Sequence, residues 1–349
     1  MTEGTLTWRE RNRTLLARQL LFERADLSVQ KTTERIGGVQ SQYAPSTYIG
    51  LWSRLQGFTR DGLTSALERR TVVQGTLMRG TIHVVSSSDY PAMAAGVRRA
   101  RRTWLLRSRR DVVEDRQMRA TARRLRELLA DGPLPRRELT RRLGVDTTIW
   151  NAVGLWVDLV RVPPSGTWER RSADLYGLAD TWIDVPEVDE ADGIELLVRR
   201  YLGGFGPSSV KEISGWSGVP VADLEAVLGR IRLRRFRAED GQTLLDVPRA
   251  LLVDGDEPAP VRFLPTWDAM LLIHERATQI LPERFRPLVF NTRTPHSVPT
   301  FLVDGQVAGT WRFADDRITI EPFERLPKTT RRALDDEAER LRAFHMEGC

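Results

Sequence analysis

Gly132-Pro133-Leu134-Pro135-Arg136-Arg137-Glu138-Leu139, running on to Gly144-Val145, is answered 74 residues later by Gly206-Pro207-Ser208-Ser209-Val210-Lys211-Glu212-Ile213, running on to Gly218-Val219. Gly-Pro, Glu and Gly-Val recur in register. Each copy leads into a helix-like stretch, 147–159 and 220–233. A basic, β-compatible run follows, Leu159-Val160-Arg161-Val162 and Leu233-Arg234-Arg235-Phe236. Then come a turn and a second short strand, 175–178 and 243–247. An amphipathic helix precedes each copy, at 114–130 and 190–202, with leucines at helical spacing. A helix, a short helix, a glycine turn, a longer helix and a two-stranded hairpin form the order of a winged helix-turn-helix.

The flanking sequence extends this pattern. Segments 8–24, 28–37, 44–56 and 60–70 carry helical signals and lead to a β-rich run from Thr71 to Val85 that is interrupted at glycines, as a wing would be. At about 255–325 the signals are mostly strands. Asp304-Gly305 between Phe301-Leu302-Val303 and Val307–Arg312 marks a hairpin, and a charged helix closes the chain at about 327–345. The expected fold is α+β: three tandem winged helix-turn-helix units (1–112, 113–182 and 183–252) followed by a strand-rich C-terminal domain at 253–349.

Composition limits the chemistry. Of the 53 basic residues only Lys31, Lys211 and Lys328 are lysines, and the net charge is +6. Arginine suits phosphate because its planar fork donates paired hydrogen bonds, although a GC-rich genome would also favour it. Three lysines are a small pool for Schiff-base chemistry. The lone cysteine, Cys349, excludes an internal disulfide or a cysteine metal cluster. No apolar run approaches a membrane span and no leader is evident, so a cytoplasmic protein is expected. Patterns for metal sites, phosphate loops and nucleophile elbows are absent, and no cofactor is expected.

Two features point to function. Segment 98–110 holds Arg98, Arg99, Arg101, Arg102, Arg107, Arg109 and Arg110 around Trp104. Helical spacing places Arg98, Arg101 and Arg102 on one face, which is expected to meet DNA phosphates rather than only water. The second feature is Gln40-Ser41-Gln42, directly after Gly37-Gly38-Val39. Neither amide titrates near neutrality, but each both accepts and donates hydrogen bonds. Alone, such a tripeptide is an ordinary polar turn.

In four ordered blocks the chain resembles the winged-helix DNA glycosylases of the AlkZ type. The blocks are 37–42, Leu77–Val85, Arg262–His274 and Pro299–Trp311. That resemblance implies tandem winged helices around a C-terminal β-barrel-like domain, acting on double-stranded DNA that carries bulky alkylated purines. It also implies, in some members, unhooking of interstrand crosslinks and self-resistance to a DNA-alkylating natural product. It maps the catalytic pair onto Gln40 and Gln42. Two departures are visible: Ser41 replaces an aliphatic residue, and His274-Glu275-Arg276 is one residue tighter than the usual pattern.

The chemistry fits two amides. An alkylated purine is cationic and leaves readily, so the barrier is positive charge growing on the sugar. One amide orients water while carbonyl dipoles stabilise the oxocarbenium ion, giving monofunctional hydrolysis. Asp268 and His83 are candidate active-site supports. Arg79, Arg98, Arg101, Arg102, Trp311 and Arg312 are candidate DNA contacts. For His83, Asp268 and Trp311 the bland alternatives are a structural histidine, a buried ion pair or cap, and a core aromatic. Competing functions are a winged-helix transcription regulator and a protein that sequesters a genotoxin.

Overall fold

A computed structural model describes every residue except Met1, Ala173, Ile273, Glu275, 291–296, Gly348 and Cys349. Glu275 and Cys349 therefore lie outside the described residues. The chain opens with β1 (Thr5–Leu6) and α1 (Trp8–Arg18). A capping box starts α1: Thr7 Oγ1 accepts from the Glu10 N–H, and the Thr7 N–H donates to Glu10 Oε2 at 2.7 Å. Next come α2 (Val29–Ile36), β2 (Val39–Gln40), α3 (Ala44–Trp52), α4 (Arg60–Glu68), β3 (Val72–Thr76), β4 (Ile82–Ser86) and the long α5 (Tyr90–Ser108).

The internal repeat follows. Its first copy holds α6 (Asp115–Leu129), β5 (Leu134–Pro135), α7 (Arg136–Leu143), α8 (Thr147–Val153), β6 (Leu159–Arg161), β7 (Leu175–Leu178) and α9 (Ala179–Trp182). The second holds α10 (Glu190–Phe205), α11 (Val210–Ser217), α12 (Val221–Leu228), β8 (Arg234–Ala238) and β9 (Thr243–Asp246). The helices α7 and α11 end alike, on left-handed Gly144 (φ 67°) and Gly218 (φ 79°), a conformation that favours residues without a Cβ. Strand pairing repeats too. Tyr176 faces both Leu134 and Arg161, and Leu245 faces both Ser208 and Arg235. Leu134 to Ser208 and Arg161 to Arg235 are each separated by the same 74 residues.

The hairpins do not stay separate. The N-terminal hairpin joins the next one through Gln74–Arg161 and Gly75–Val160, making one six-stranded sheet of order β2-β4-β3-β6-β7-β5. The terminal strand β1 runs parallel to β8 at the edge of the other hairpin. One apolar core runs from Leu15 through Val85, Val160 and Tyr201 to Leu302 and Val307. α5 and α10 pack backbone to backbone at Gly96 and Gly193. A Cβ on Gly193 would collide with the Ala92 carbonyl oxygen, and one on Gly96 with the Gly193 backbone, so neither helix tolerates a side chain there.

The C-terminal segment corrects the barrel expectation. It contains β10 (Arg262–Leu264), α13 (Ala269–Leu272), α14 (Arg286–Val289), β11 (Thr300–Val303), β12 (Gln306–Ala314), β13 (Arg317–Pro322) and α15 (Lys328–His345). Among the described residues the strands form an open antiparallel sheet, β10-β11-β12-β13, with no pairing between its edges. The reason is physical. Leu334, Ala338, Leu341 and Phe344 of α15 pack against Phe263, Phe301 and Trp311, so a helix fills the face that a closed barrel would turn inward. The fold is thus mixed α/β. No described helix is long and apolar enough to cross a membrane.

Candidate active site

The glutamine motif sits where β2 leaves the six-stranded sheet. Gln40 pairs with His83 of β4, and the Ser41 N–H donates to the Ile82 carbonyl at 2.7 Å. Ser41 is buried, and its hydroxyl accepts from Thr47 Oγ1 of α3 at 2.8 Å. The hydroxyl that departs from the aliphatic pattern is thereby satisfied, and the position still packs inward.

Both amides are oriented by groups that can only donate. Arg79 Nη2 donates to Gln40 Oε1 at 2.7 Å. The Ile82 N–H donates to Gln42 Oε1 at 3.0 Å. Arginine and a backbone N–H have no acceptor to offer, so the carbonyl oxygens must face them and the NH2 groups point away. Gln40 is 4% exposed, whereas Gln42 is solvent-exposed. Each Oε1 keeps a second lone pair.

Arg79 is itself tightly placed. Its backbone is left-handed (φ 53°) between Met78 and Gly80, and its Nη1 donates to the Trp216 carbonyl at 2.6 Å. It therefore ties the motif to α11. Burial pushes Arg79 down to about 10, so it stays charged at neutral pH. His83 is buried, with Nδ1 3.1 Å from the Thr81 carbonyl, which requires an Nδ1–H donor. Burial, then the Arg79 charge, pushes it down to about 3, so its ring is neutral.

Gln40 lines a narrow slot with Gln19, Gly38, Ser46, Arg54 and Pro265–Ala269. Gln40 and Asp268 thus meet in one cleft between the N-terminal and C-terminal segments, while Gln42 lies outside it. The slot encloses about 10 Å³, near the lower limit for one water and far too small for a base. Asp268 is held by Arg54: Nη1 and Nη2 donate to Oδ2 and Oδ1, both at 2.9 Å, with both side chains buried. Asp268 Oδ1 also accepts from the Met270 N–H at 3.1 Å. Its carboxylate is paired and also caps a turn. Arg54 was not legible from sequence, since 214 positions separate the partners.

A larger, open groove of about 900 Å³ lies on the other side of Arg79. It is walled by Arg79 and Gly80, by Arg99, Arg101, Trp104 and Arg107 of α5 with Arg109 just past its end, by Thr148 and Asn151 of α8, and by Gly218–Pro220. The arginine face predicted for DNA is placed differently. Arg98 pairs with Asp158 at 2.6 Å, Arg101 donates to the Thr76 carbonyl at 3.0 Å, and Arg102 donates to the Leu155 carbonyl at 2.6 Å. These three share a face, as spacing requires, but that face turns toward the protein. Arg101 still lines the groove. Arg99 lines it too and is paired with Glu190 and Asp223. Arg107 and Arg109 are exposed there and have no ion-pair partner among the described residues.

Trp311 is corrected outright. It is 5% exposed, donates from Nε1 to the Leu264 carbonyl at 3.0 Å and meets Phe263 edge-on. It is a core residue that cannot reach a groove. Arg312, next on β12, points out and lies 3.7 Å from Glu321. His274 is also in the core, with Nδ1 3.1 Å from the Tyr201 hydroxyl and its ring stacked on Phe205.

The chain belongs to the AlkZ-like DNA glycosylase family, whose sequence model it matches over residues 33–344. It is therefore a DNA glycosylase. A curated relative from Streptomyces sahachiroi, described as an interstrand DNA cross-link repair glycosylase, is 23% identical over 366 positions, covering 95% of each chain. The fold is similar to the solved structure of the Streptomyces sahachiroi DNA glycosylase AlkZ, with a TM-score of 0.82 and 20% identity across 98% of this chain and 97% of that one.

Proposed function

We propose that the protein hydrolyses the N-glycosidic bond of bulky alkylated purines, N7-alkylguanine or N3-alkyladenine, in double-stranded DNA, with Gln40 and Gln42 as the catalytic pair. Interstrand crosslinks fall within this substrate class, as the name of the Streptomyces sahachiroi relative suggests. Protection against a DNA-alkylating natural product is the biological setting proposed. The observation that carries the reading is Gln40: it is buried, lines a water-sized slot, and is fixed by Arg79, which lines the arginine-rich groove.

In this scheme Arg79 and Ile82 hold the two amides before substrate arrives, so no reorganisation is needed as charge develops. The remaining lone pair of one Oε1 accepts a hydrogen bond from the attacking water, and the other carbonyl faces the electron-poor sugar. The cationic base leaves without strong acid catalysis. Among the described residues no lysine lines the slot or the groove, which favours hydrolysis over a Schiff base. The division into three winged-helix units at 1–112, 113–182 and 183–252, with a C-terminal domain at 253–349, is proposed on the repeat and on the matched turn glycines.

The test is single-turnover excision from duplex carrying a bulky N7-alkylguanine, read as alkali-labile abasic sites. Gln40→Ala and Gln42→Ala should each lose roughly 10²-fold or more, the scale of one preorganised polar group. Affinity for the same DNA should change far less, because phosphate contacts dominate it. Wild-type excision by the double variant would refute the assignment.

A further inference from the structure

Trp104 of α5 is 68% exposed and lines the basic groove. An isolated exposed tryptophan needs no explanation, but three observations coincide here. The unpaired charge of α5 gathers beside it, because Arg98, Arg99, Arg101 and Arg102 are engaged by protein groups while exposed Arg107 and Arg109 are not. Trp104 lies three residues beyond Arg101, whose Nη2 would be 3.4 Å from a Cβ on Gly80, next to Arg79. The indole is thus about one helical turn from an arginine that packs beside the residue holding Gln40. Thr148, Asn151 and Gly218 line the same open groove, so the ring borders a cavity of about 900 Å³.

An aromatic face set among free arginines is the arrangement by which proteins hold unpaired nucleic-acid strands: the ring stacks on a base and the cations take phosphates. We propose that Trp104 is a stacking platform for an unpaired base of the DNA strand lying in this groove, with Arg107 and Arg109 on its phosphates. The proposal rests on the reading of the groove as the DNA interface. It supplies what base removal requires, since taking a nucleotide out of the helix costs stacking, and a base resting on Trp104 recovers part of it.

Two labelled oligonucleotides of equal length test this by fluorescence anisotropy: a normal single strand and a chain of abasic residues that keeps the phosphates but has no bases. Trp104→Ala should weaken the base-bearing strand about 5- to 150-fold, the range for one missing stack, and leave the abasic chain unchanged. Trp104→Phe should retain most of the affinity. Arg107→Ala with Arg109→Ala should weaken both strands and flatten the salt dependence. The proposal is overturned if Trp104→Ala binds the base-bearing strand like wild type, or weakens both strands equally. Excision of N7-alkylguanine by the same preparations separates the two readings. Loss of base-dependent binding with a wild type that leaves adducts intact would sink the catalytic assignment alone. Normal excision with unchanged oligonucleotide binding would sink the stacking platform alone.

Discussion

Replacing Asp268 by Asn removes the charge from an ion pair in which both side chains are nearly sealed from water, at 3% and 4% exposure. Arg54 would keep its bond to the Gly50 carbonyl at 2.9 Å but lose its charge partner, and its Nε already has no acceptor among the described residues. An uncompensated buried guanidinium costs about 3–5 kcal/mol. For 349 residues the unfolding entropy is about 0.7 kcal/mol per kelvin, so the melting midpoint should fall by about 4–7 °C. Asp268→Asn combined with Arg54→Met should recover much of that, since the stranded charge is gone. Thermal unfolding by circular dichroism reads the stability, and single-turnover excision well below the melting range reads the chemistry. We propose that Asp268 acts as scaffold of the slot it shares with Gln40. Excision at low temperature should therefore fall no more than about tenfold, and the double variant should restore part of it. An unchanged melting midpoint together with excision reduced by orders of magnitude would refute this reasoning and make Asp268 a participant in the reaction.

Trp311→Ala should cost about 3–5 kcal/mol of stability, as for other buried aromatics, and leave the salt dependence of DNA binding unchanged; a flatter slope would place Trp311 at the interface. Mutating Arg98, Arg101 and Arg102 together to Ala should lower the melting midpoint, whereas Arg107→Ala with Arg109→Ala should chiefly reduce the salt slope, by about 0.9 for each phosphate no longer neutralised. The opposite pattern in melting and binding titrations would mean that the outer face of α5 does not meet DNA. Burial pushes His83 down to about 3 and His274 down to about 4, from an ordinary value near 6.5. Both are neutral when folded, so the unfolded chain takes up protons first and stability should fall as pH drops from about 6.5 toward 4. The loss should reach about 1.4 kcal/mol per pH unit for each histidine, and denaturant titrations flat across that range would contradict the burial of both rings.

Local patterns settle within a few residues, and those were legible. Leucine spacing located α6 and α10, the Gly-Val pairs located the turns at Gly144 and Gly218, and Asp304-Gly305 located the β11–β12 hairpin. The glutamine motif stood out only through the resemblance of four ordered blocks, 37–42, Leu77–Val85, Arg262–His274 and Pro299–Trp311, to a known family. Helical periodicity also grouped Arg98, Arg101 and Arg102 correctly on one face.

Which way that face turns was decided only by tertiary structure. Period and charge fix which residues share a side of a helix. They do not fix which side meets water, because arginine is buried whenever carbonyls or a carboxylate can accept its hydrogen bonds, as Thr76, Leu155 and Asp158 do here. The same limit hid Arg54 behind Asp268, turned Trp311 into the core, and merged two hairpins into one six-stranded sheet. Each of these depends on residues distant in the chain meeting in space. One sequence records the two partners separately and carries no signal of their pairing.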